Sequence, residues 1–189
     1  MKRIIIFTLA LTAATISISA QKLSGSISSL KGQKEVNVVI DFSETLVKNQ
    51  PEEAYITLNT KDKNDEDKAD WLQEWNEEMP EETYEQFVHY LNEEIAKRGI
   101  TAGNFPNAEY TIQVKVINIS PGYSQWGNSN ISLHISFIKT GQPTSFATIE
   151  YKKIWGFQSN YYAHHINRIC KAFSYAGTNF GKMISSNLK

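Results

Sequence analysis

Between Ala108 and Trp155 the chain alternates three times between an apolar and a polar side, a pattern that restricts the fold more than any other feature. In "AEYTIQVKVIN", Tyr110, Ile112, Val114 and Val116 share one face and Thr111, Gln113 and Lys115 the other. In "NISLHISFI", Ile131, Leu133, Ile135 and Phe137 oppose Ser132, His134 and Ser136, and in "FATIEYKKIW", Ala147, Ile149 and Tyr151 oppose Thr148, Glu150 and Lys152. Period-two alternation over successive segments predicts strands of an antiparallel sheet that is covered on one side and wet on the other. The turn "KTGQPT" is short enough for a hairpin. Earlier, "KEVNVVIDF" places Val36, Val38, Ile40 and Phe42 in the same rhythm and reads as a further strand. Asp41 and Ser43 at its end have the chemistry of a turn.

A one-sided sheet needs a lid, and the C-terminal segment supplies its pattern. From Asn160 to about Asn187, Tyr162, Ile166, Ile169, Phe173, Ala176, Phe180 and Met183 recur every three or four residues, the stripe of one long helix. The expected architecture is therefore a single α+β domain over residues 34–189: an about four-stranded, mainly antiparallel sheet with helices packed on one face and a long C-terminal helix.

The first twenty residues form a separate object. Lys2 and Arg3 precede an uncharged run from Ile4 to Ile18, and the chain then turns polar. That is the layout of a secretory signal peptide, and the run falls short of the roughly 20 residues a membrane-crossing helix requires. Cleavage is expected after Ala20, with Ser19 the alternative, followed by a flexible Ser/Gly-rich lead over residues 21–33. These features predict an exported protein, periplasmic or secreted and soluble, with no transmembrane segment once the leader is gone. No cysteine stands near the cleavage point to carry a lipid, and Cys170 is single, so no internal disulfide forms. Removing Lys2 and Arg3 from 19 basic residues leaves 17 against 20 acidic ones, a formal charge of −3. That balance offers no electrostatic reason for nucleic acid or an anionic membrane as partner.

The middle of the chain reads as helices. Pro51 followed by Glu52 and Glu53 suits a helix start, although "AYITL" favours a strand; a short helix is expected. Residues 62–85 hold eleven acidic residues and two lysines. Read as a calcium loop from Asp62, this stretch has Asp67 where glycine is needed and Gln73 where a bidentate glutamate is needed, so it is a solvated helix face instead. Trp71, Leu72, Trp75 and Met79 recur at helical spacing as a buried stripe. A further helix restarts at Pro80, with Glu81 and Glu82 in its first turn, Lys97 and Arg98 in its last and Gly99 as cap. Its apolar side is Tyr84, Phe87, Val88, Leu91 and Ile95, and His89 faces water.

Most reactive-looking is "NYYAHHINRICKAF", with His164, His165, Arg168 and Cys170 close in sequence. At about 100° per residue the two histidines diverge, one to the edge of the buried side and one into solvent with Arg168 and Lys171; Cys170 lies too far around the helix to pair with His165. A helical zinc site would want histidines four apart, and the residues four further on are Arg168 and Ile169. Gly177 and Gly181 are expected as packing positions that let the helix approach the sheet, the rival being a break at Gly177. His134 is expected on the wet face among Lys115, Glu150 and serines.

One loop has a binding composition. "ISPGYSQWGNSN" connects two strands through about a dozen residues where a hairpin needs about two to five, and it sets Tyr123 and Trp126 among Gly, Ser and Asn. These two residues are the candidate ligand-binding pair. Asn118 and Asn130 stand in N-x-[ST] sequons. No self-consistent catalytic set, metal-ligand set or cofactor motif is read from the sequence. The expected function is a non-enzymatic binding or adaptor protein of the cell envelope that contacts a protein partner. Alternatives are a small-ligand or glycan-binding protein using the 119–130 loop, then a hydrolase built on His134 or His165.

The residues "VIDFS", "PEEAYI", the pair Trp71 and Trp75, "AEYTIQVKV", "PGY" and "RICKAFSYAGTNFGKMI", with Ala20–Gln21 after the leader, resemble a group of uncharacterised exported Bacteroidetes proteins. That likeness covers nearly all the mature chain. From Ala108 onward the arrangement also distantly resembles the α/β domains of periplasmic accessory proteins, namely the TolB N-terminal domain and lipoprotein activators of peptidoglycan synthases. The resemblance implies a non-enzymatic adaptor in the envelope. It carries over no functional residue, and this chain lacks the lipid-bearing cysteine of the activators.

Overall fold

The computed structural model describes residues 22–122, 128–157 and 165–189, with His165 described by its backbone alone. The chain enters through a two-residue strand, β1 (Ser24–Gly25), and a 3-10 turn (Ser28–Leu30) before strand β2 (Glu35–Asp41). A tight hairpin follows, β3 (Leu46–Val47) and β4 (Gln50–Pro51), and leads into helices α1 (Glu52–Thr60) and α2 (Asp65–Gln73). A π-helical turn (Glu74–Glu78) joins α2 to α3 (Met79–Ile95). Strand β5 (Thr101–Gly103) precedes the three long strands β6 (Tyr110–Ser120), β7 (Ser129–Lys139) and β8 (Ser145–Gly156), and helix α4 (His165–Asn187) closes the chain.

The sheet corrects the sequence expectation. It has eight strands and is mixed, not about four and mainly antiparallel: the order is β1-β8-β7-β6-β2-β5, with β3 joined to both β4 and β6. β2 runs parallel to β5 and β6, and β3 parallel to β6; only the β6–β7–β8 meander and the β1–β8 and β3–β4 pairs are antiparallel. Alternation reports which face of a strand is wet and carries no information about direction, which the connections set. Helices α1, α2 and α3 lie between β2 and β6, and such a crossover brings the chain back to the same end of the sheet, as a parallel pair requires. The four added strands have two or three residues each, too few for a period of two to show.

The faces are as the alternation predicts. Ile112, Val114, Val116, Ile131, Leu133, Ile135, Phe137, Ala147, Ile149 and Tyr151 are all buried. Of the opposite set, Gln113, Lys115, Ser132, His134, Ser136, Thr148, Glu150 and Lys152 are half-buried or exposed, whereas Thr111 is buried, with its hydroxyl bonded to Asn37 and Thr140. On the apolar face lies α4, through Ile166, Ile169, Phe173, Ala176 and Phe180, with Ile184 and Leu188 continuing the stripe and Met183 only half-buried. Within the lead expected to be mobile, Ile27 and Leu30 are buried in the same core. Pro51 caps α1 as its sequence suggests. Residues 61–70 are exposed throughout, as a solvated acidic face should be, and Gly99 closes the turn after α3 at φ +73°.

Helix α3 runs beside α4 in the same direction, since Glu82 meets Cys170, Gln86 meets Ser174, and Glu94 meets Ser185. Gly177 and Gly181 lie on this seam and not against the sheet, a second correction. A Cβ at Gly177 would overlap the Phe87 carbonyl oxygen, and one at Gly181 would stand 2.7 Å from Glu94 Cβ. α4 passes through both glycines unbroken. Close approach of two helix backbones, rather than of helix to sheet, is what the missing side chains permit.

Candidate functional site

Tyr123 and Trp126 lie outside the described residues, as do Tyr162 and His164. The strand ends on either side of that segment are described. Ser120 pairs with Asn130, and Asn130 pairs with Trp155, so β6, β7 and β8 end in one register row. One step inward, Ser132 on β7 is flanked by irregularities on both sides. Ile117 is an extra residue in β6 there, and Lys152 with Lys153 together oppose Ser132 from β8. A bulge adds local twist and turns side chains away from their regular positions. Ile117 is 40% exposed, Trp155 40% and Phe157 51%, so large apolar side chains stand exposed toward one end of the sheet, Ile117 two strands from Trp155. Trp155 and Phe157 stack with ring centroids 6.2 Å apart, and Lys153 Nζ stands 4.3 Å from the centre of the Trp155 ring. Leu46, opposite Asn118 on β3, extends the patch.

The helix side of this end is aromatic and closed. Trp71 and Trp75 lie nearly parallel with centroids 5.5 Å apart, and Tyr55 on α1 tilts against both. Trp75 Nε1 donates to Glu52 Oε1 at 2.7 Å, and Lys48 Nζ lies 5.4 Å from the centre of the Tyr55 ring. The stripe is thus core, as its spacing predicts; only Leu72 is half-buried. Lys48 and Asn49 hold positive φ of 54° and 60° in the two-residue turn between β3 and β4, the geometry that matches a tight hairpin to the twist of its strands. Asn118 Oδ1 accepts from the Asn49 N–H at 2.8 Å, so this sequon side chain anchors the hairpin. Arg168, expected in solvent, is buried, and its Nη2 donates to the Pro121 carbonyl at 3.2 Å. The helix wheel gives a direction from the α4 axis, but the end of β6 folds over that direction. Burial lowers the Arg168 pKa, with the Tyr55 phenol opposing, and burial raises that of Tyr55.

The titratable candidates stand apart. A register row crosses the uncovered face from Asp41 through Lys115 and His134 to Glu150. His134 Nδ1 is 3.8 Å from Glu150 Oε1, and Lys115 pairs with Glu44, which is the surface setting expected for His134. Hydrogen bonds from Ser43 hold the Asp41 carboxyl below its ordinary range, so Asp41 and Ser43 are turn chemistry. His89 is exposed on α3, 3.7 Å from Glu93. Cys170 sits on the other side of the sheet, buried in the α3–α4 seam, where its thiol donates to Glu82 Oε2 at 3.4 Å. Burial, reinforced by Glu82, pushes that thiol far up. It lines an open depression of about 530 Å³ with Glu82, Glu85, Gln86, Asn167, Lys171 and Ser174, and a protonated thiol there is a poor nucleophile. Among the described residues no three of His, Cys, Asp and Glu gather as a metal site needs, and no helix is long and apolar enough to cross a membrane.

Trp155, Phe157 and the lysine pair escaped the sequence reading. One signal was present: in "EYKKIWGF" the alternation breaks at two successive lysines and resumes out of phase, which is how a bulge appears in sequence. No protein-family model matches the chain, and no curated protein matches it. Among solved structures, the PelC dodecamer from Paraburkholderia phytofirmans is similar at a TM-score of 0.44 and 10% identity, over 89% of this chain and 95% of that one. A single-substitution form of the same PelC gives the same figures. A likeness this remote leaves the role and the assembly of the present chain to its own residues.

Proposed function

We propose that this protein is an exported, non-enzymatic binding module of the cell envelope that contacts a protein partner through the uncovered side of its sheet, at the end marked by Trp155. The basic start and apolar run of residues 2–18 support export. One observation carries the binding reading: Trp155 and Phe157 are stacked and exposed on a sheet face that no helix covers among the described residues, with exposed Ile117 and Leu46 on strands further along the same face. Exposed aromatic and aliphatic groups gathered in one place, rimmed by polar residues, mark interaction surfaces more often than chance exposure does. Ser132, the hydroxyl at the two irregularities, is already bonded to the Lys152 carbonyl, which suits an apolar protein contact better than a sugar, which wants converging polar groups.

The test is site-specific photocrosslinking in the native host from position 155 and from position 157, with position 89 on the helix side as control. One identified protein captured from both patch positions and absent from position 89 is the expected result. Absence of any protein adduct at 155 and 157 refutes the reading. Ligand-induced shifts with glycans that vanish in Trp126→Ala would favour the 119–130 loop reading in its place.

A further inference from the structure

Strand β8 is a longer edge than its neighbour covers. β1 meets it only at Ala147 and Thr148, whereas β8 continues to Gly156. On the side away from β7, the stretch Ile149–Gly156 has no strand partner among the described residues. Such an edge presents backbone donors and acceptors ready to pair with another chain, and natural proteins block it with lysines, bulges or a covering segment. Here the lysines and the bulge are present, at Lys152 and Lys153. Protection alone does not account for the rings beyond them. Trp155 and Phe157 are exposed within five residues, and large exposed rings make an edge adhesive.

Lysines beside aromatics make the edge selective instead of inert. Lys153 contacts the Trp155 ring, and no ion pair engages Lys152 or Lys153 among the described residues. Glu150, the nearest acid on the strand, lies before the bulge and faces His134. Two cations therefore stand at the middle of an open edge with rings beyond them. The complement is an extended segment carrying acidic side chains opposite the lysines and an apolar one against the rings. A second copy of this chain does not provide it: its acidic stretch from Asp65 to Glu78 is helical.

We infer that the protein partner of the proposed function docks by adding an acidic extended segment as a further strand along Ile149–Gly156 of β8. This rests on the binding reading above and names its mode. The probe is a library of linear nine-residue peptides displayed on phage and panned on the purified protein. Enriched peptides should alternate acidic and apolar residues, and the synthetic form of the best should slow hydrogen exchange of amides between Ile149 and Gly156. A Lys152→Glu, Lys153→Glu double variant, which alters only exposed side chains, should bind that peptide about tenfold more weakly, the factor that 1.4 kcal/mol represents, and should bind a lysine-for-acid version of the peptide better than the parent does. Failure to enrich binders, enrichment without acids, protection confined to another surface, or self-association through this edge each overturns the inference. Crosslinks from 155 and 157 to one protein, with the β8 amides unprotected, would leave the interface reading standing and remove strand addition alone.

Discussion

Replacing Gly177 by alanine tests the packing on which the helix layer depends. In an unobstructed helix the change would stabilise by about 1 kcal/mol, because alanine has the higher helix propensity. In this seam the new methyl would overlap the Phe87 carbonyl oxygen and stand 3.1 Å from the Leu91 nitrogen. Both obstacles are α3 backbone, so no side chain can swing aside, and α3 and α4 must separate. Overpacking of this kind costs about 1–3 kcal/mol, and rigid obstacles place it at the upper end. Setting about 3 against the gain of about 1 leaves a net loss of about 2 kcal/mol, or about 4–8 °C in Tm for a chain of this size. Gly181→Ala is the internal comparison. Its Cβ would meet Glu94 Cβ at 2.7 Å and the Leu91 carbonyl oxygen at 3.0 Å; neither atom can rotate away, but the overlap is smaller than at Gly177, so a net loss of about 1 kcal/mol is expected, less than that of Gly177→Ala. Urea unfolding followed by far-UV circular dichroism measures both, with unchanged m-values as the check that the unfolded state is unaffected. A Gly177→Ala protein as stable as the parent, or more so, would show that α4 does not lie against α3 in this register.

Trp75→Phe removes the bond to Glu52, and since hydrogen bonds to charged groups contribute about 1.5–3 kcal/mol, a loss of about 2 kcal/mol is expected by denaturation, most of it spared in Glu52→Gln. The thiol of Cys170 and the phenols of Tyr55, Tyr84 and Tyr151 are all raised by burial. Groups that stay protonated in the folded state but ionise once unfolded make stability full below their ordinary pKa and falling above it. Stability should therefore decline as pH climbs past the ordinary thiol value of about 8.5, and Cys170→Ala should flatten the first part of that decline in pH-dependent melts. Intact Cys170 should also resist a thiol-modifying disulfide reagent at pH 8 until denaturant is added. Joint replacement of His134 and Glu150 by alanine should move stability by no more than about 0.5 kcal/mol, as for exposed pairs; a larger loss would mean that the row on the open face is part of the fold's support.

How far the sequence could be read depends on what each signal encodes. The inward set of β6, β7 and β8 and the α4 stripe were legible because burial on one side imposes a period, and the period survives in the residues. The caps were legible for the same kind of reason: Gly99 stands where the backbone is left-handed, and Pro51 suits the extended entry to α1. Strand direction was not, because β2 and β6 pair through a crossover whose geometry leaves no mark on either strand. Nor were β1, β3, β4 and β5, which owe their existence to neighbours already in place. Arg168 was misplaced because a wheel drawn on one helix knows nothing of Pro121. Gly177 and Gly181 were seen as packing positions but assigned the wrong neighbour, since a glycine records only that something comes close. The proposed contact surface was hidden most of all. Trp155 looks like one more inward residue until the paired lysines before it are recognised as a change of phase.

That change of phase bears on function because the two sides of the sheet are held to different standards. On the helix side the largest core side chains are packed: Trp75, Phe87, Phe137, Phe173 and Phe180 are almost fully buried, and the glycine seam brings α3 and α4 to backbone contact. On the other side most regular strand positions are polar, with Val39 of β2 an exposed exception, and Ile117 and Trp155 fall beside the two irregularities around Ser132. Had the bulge been absent, Trp155 would share a face with Tyr151, and the ring would point into the core. Across two successive lysines, the bulge reverses the side on which the ring would otherwise fall. A fold that needed only a lid of water over this face would gain nothing from that reversal, whereas a fold that must hold another chain there gains a ring, a cation and an open edge at one place. Deleting Lys152 or Lys153 singly should remove the irregularity yet keep Ile154 opposite Ile131 and Trp155 on the open side, so crosslinking from position 155 should persist; loss of capture on such a deletion would show that the bulge itself, and not the ring alone, serves the contact.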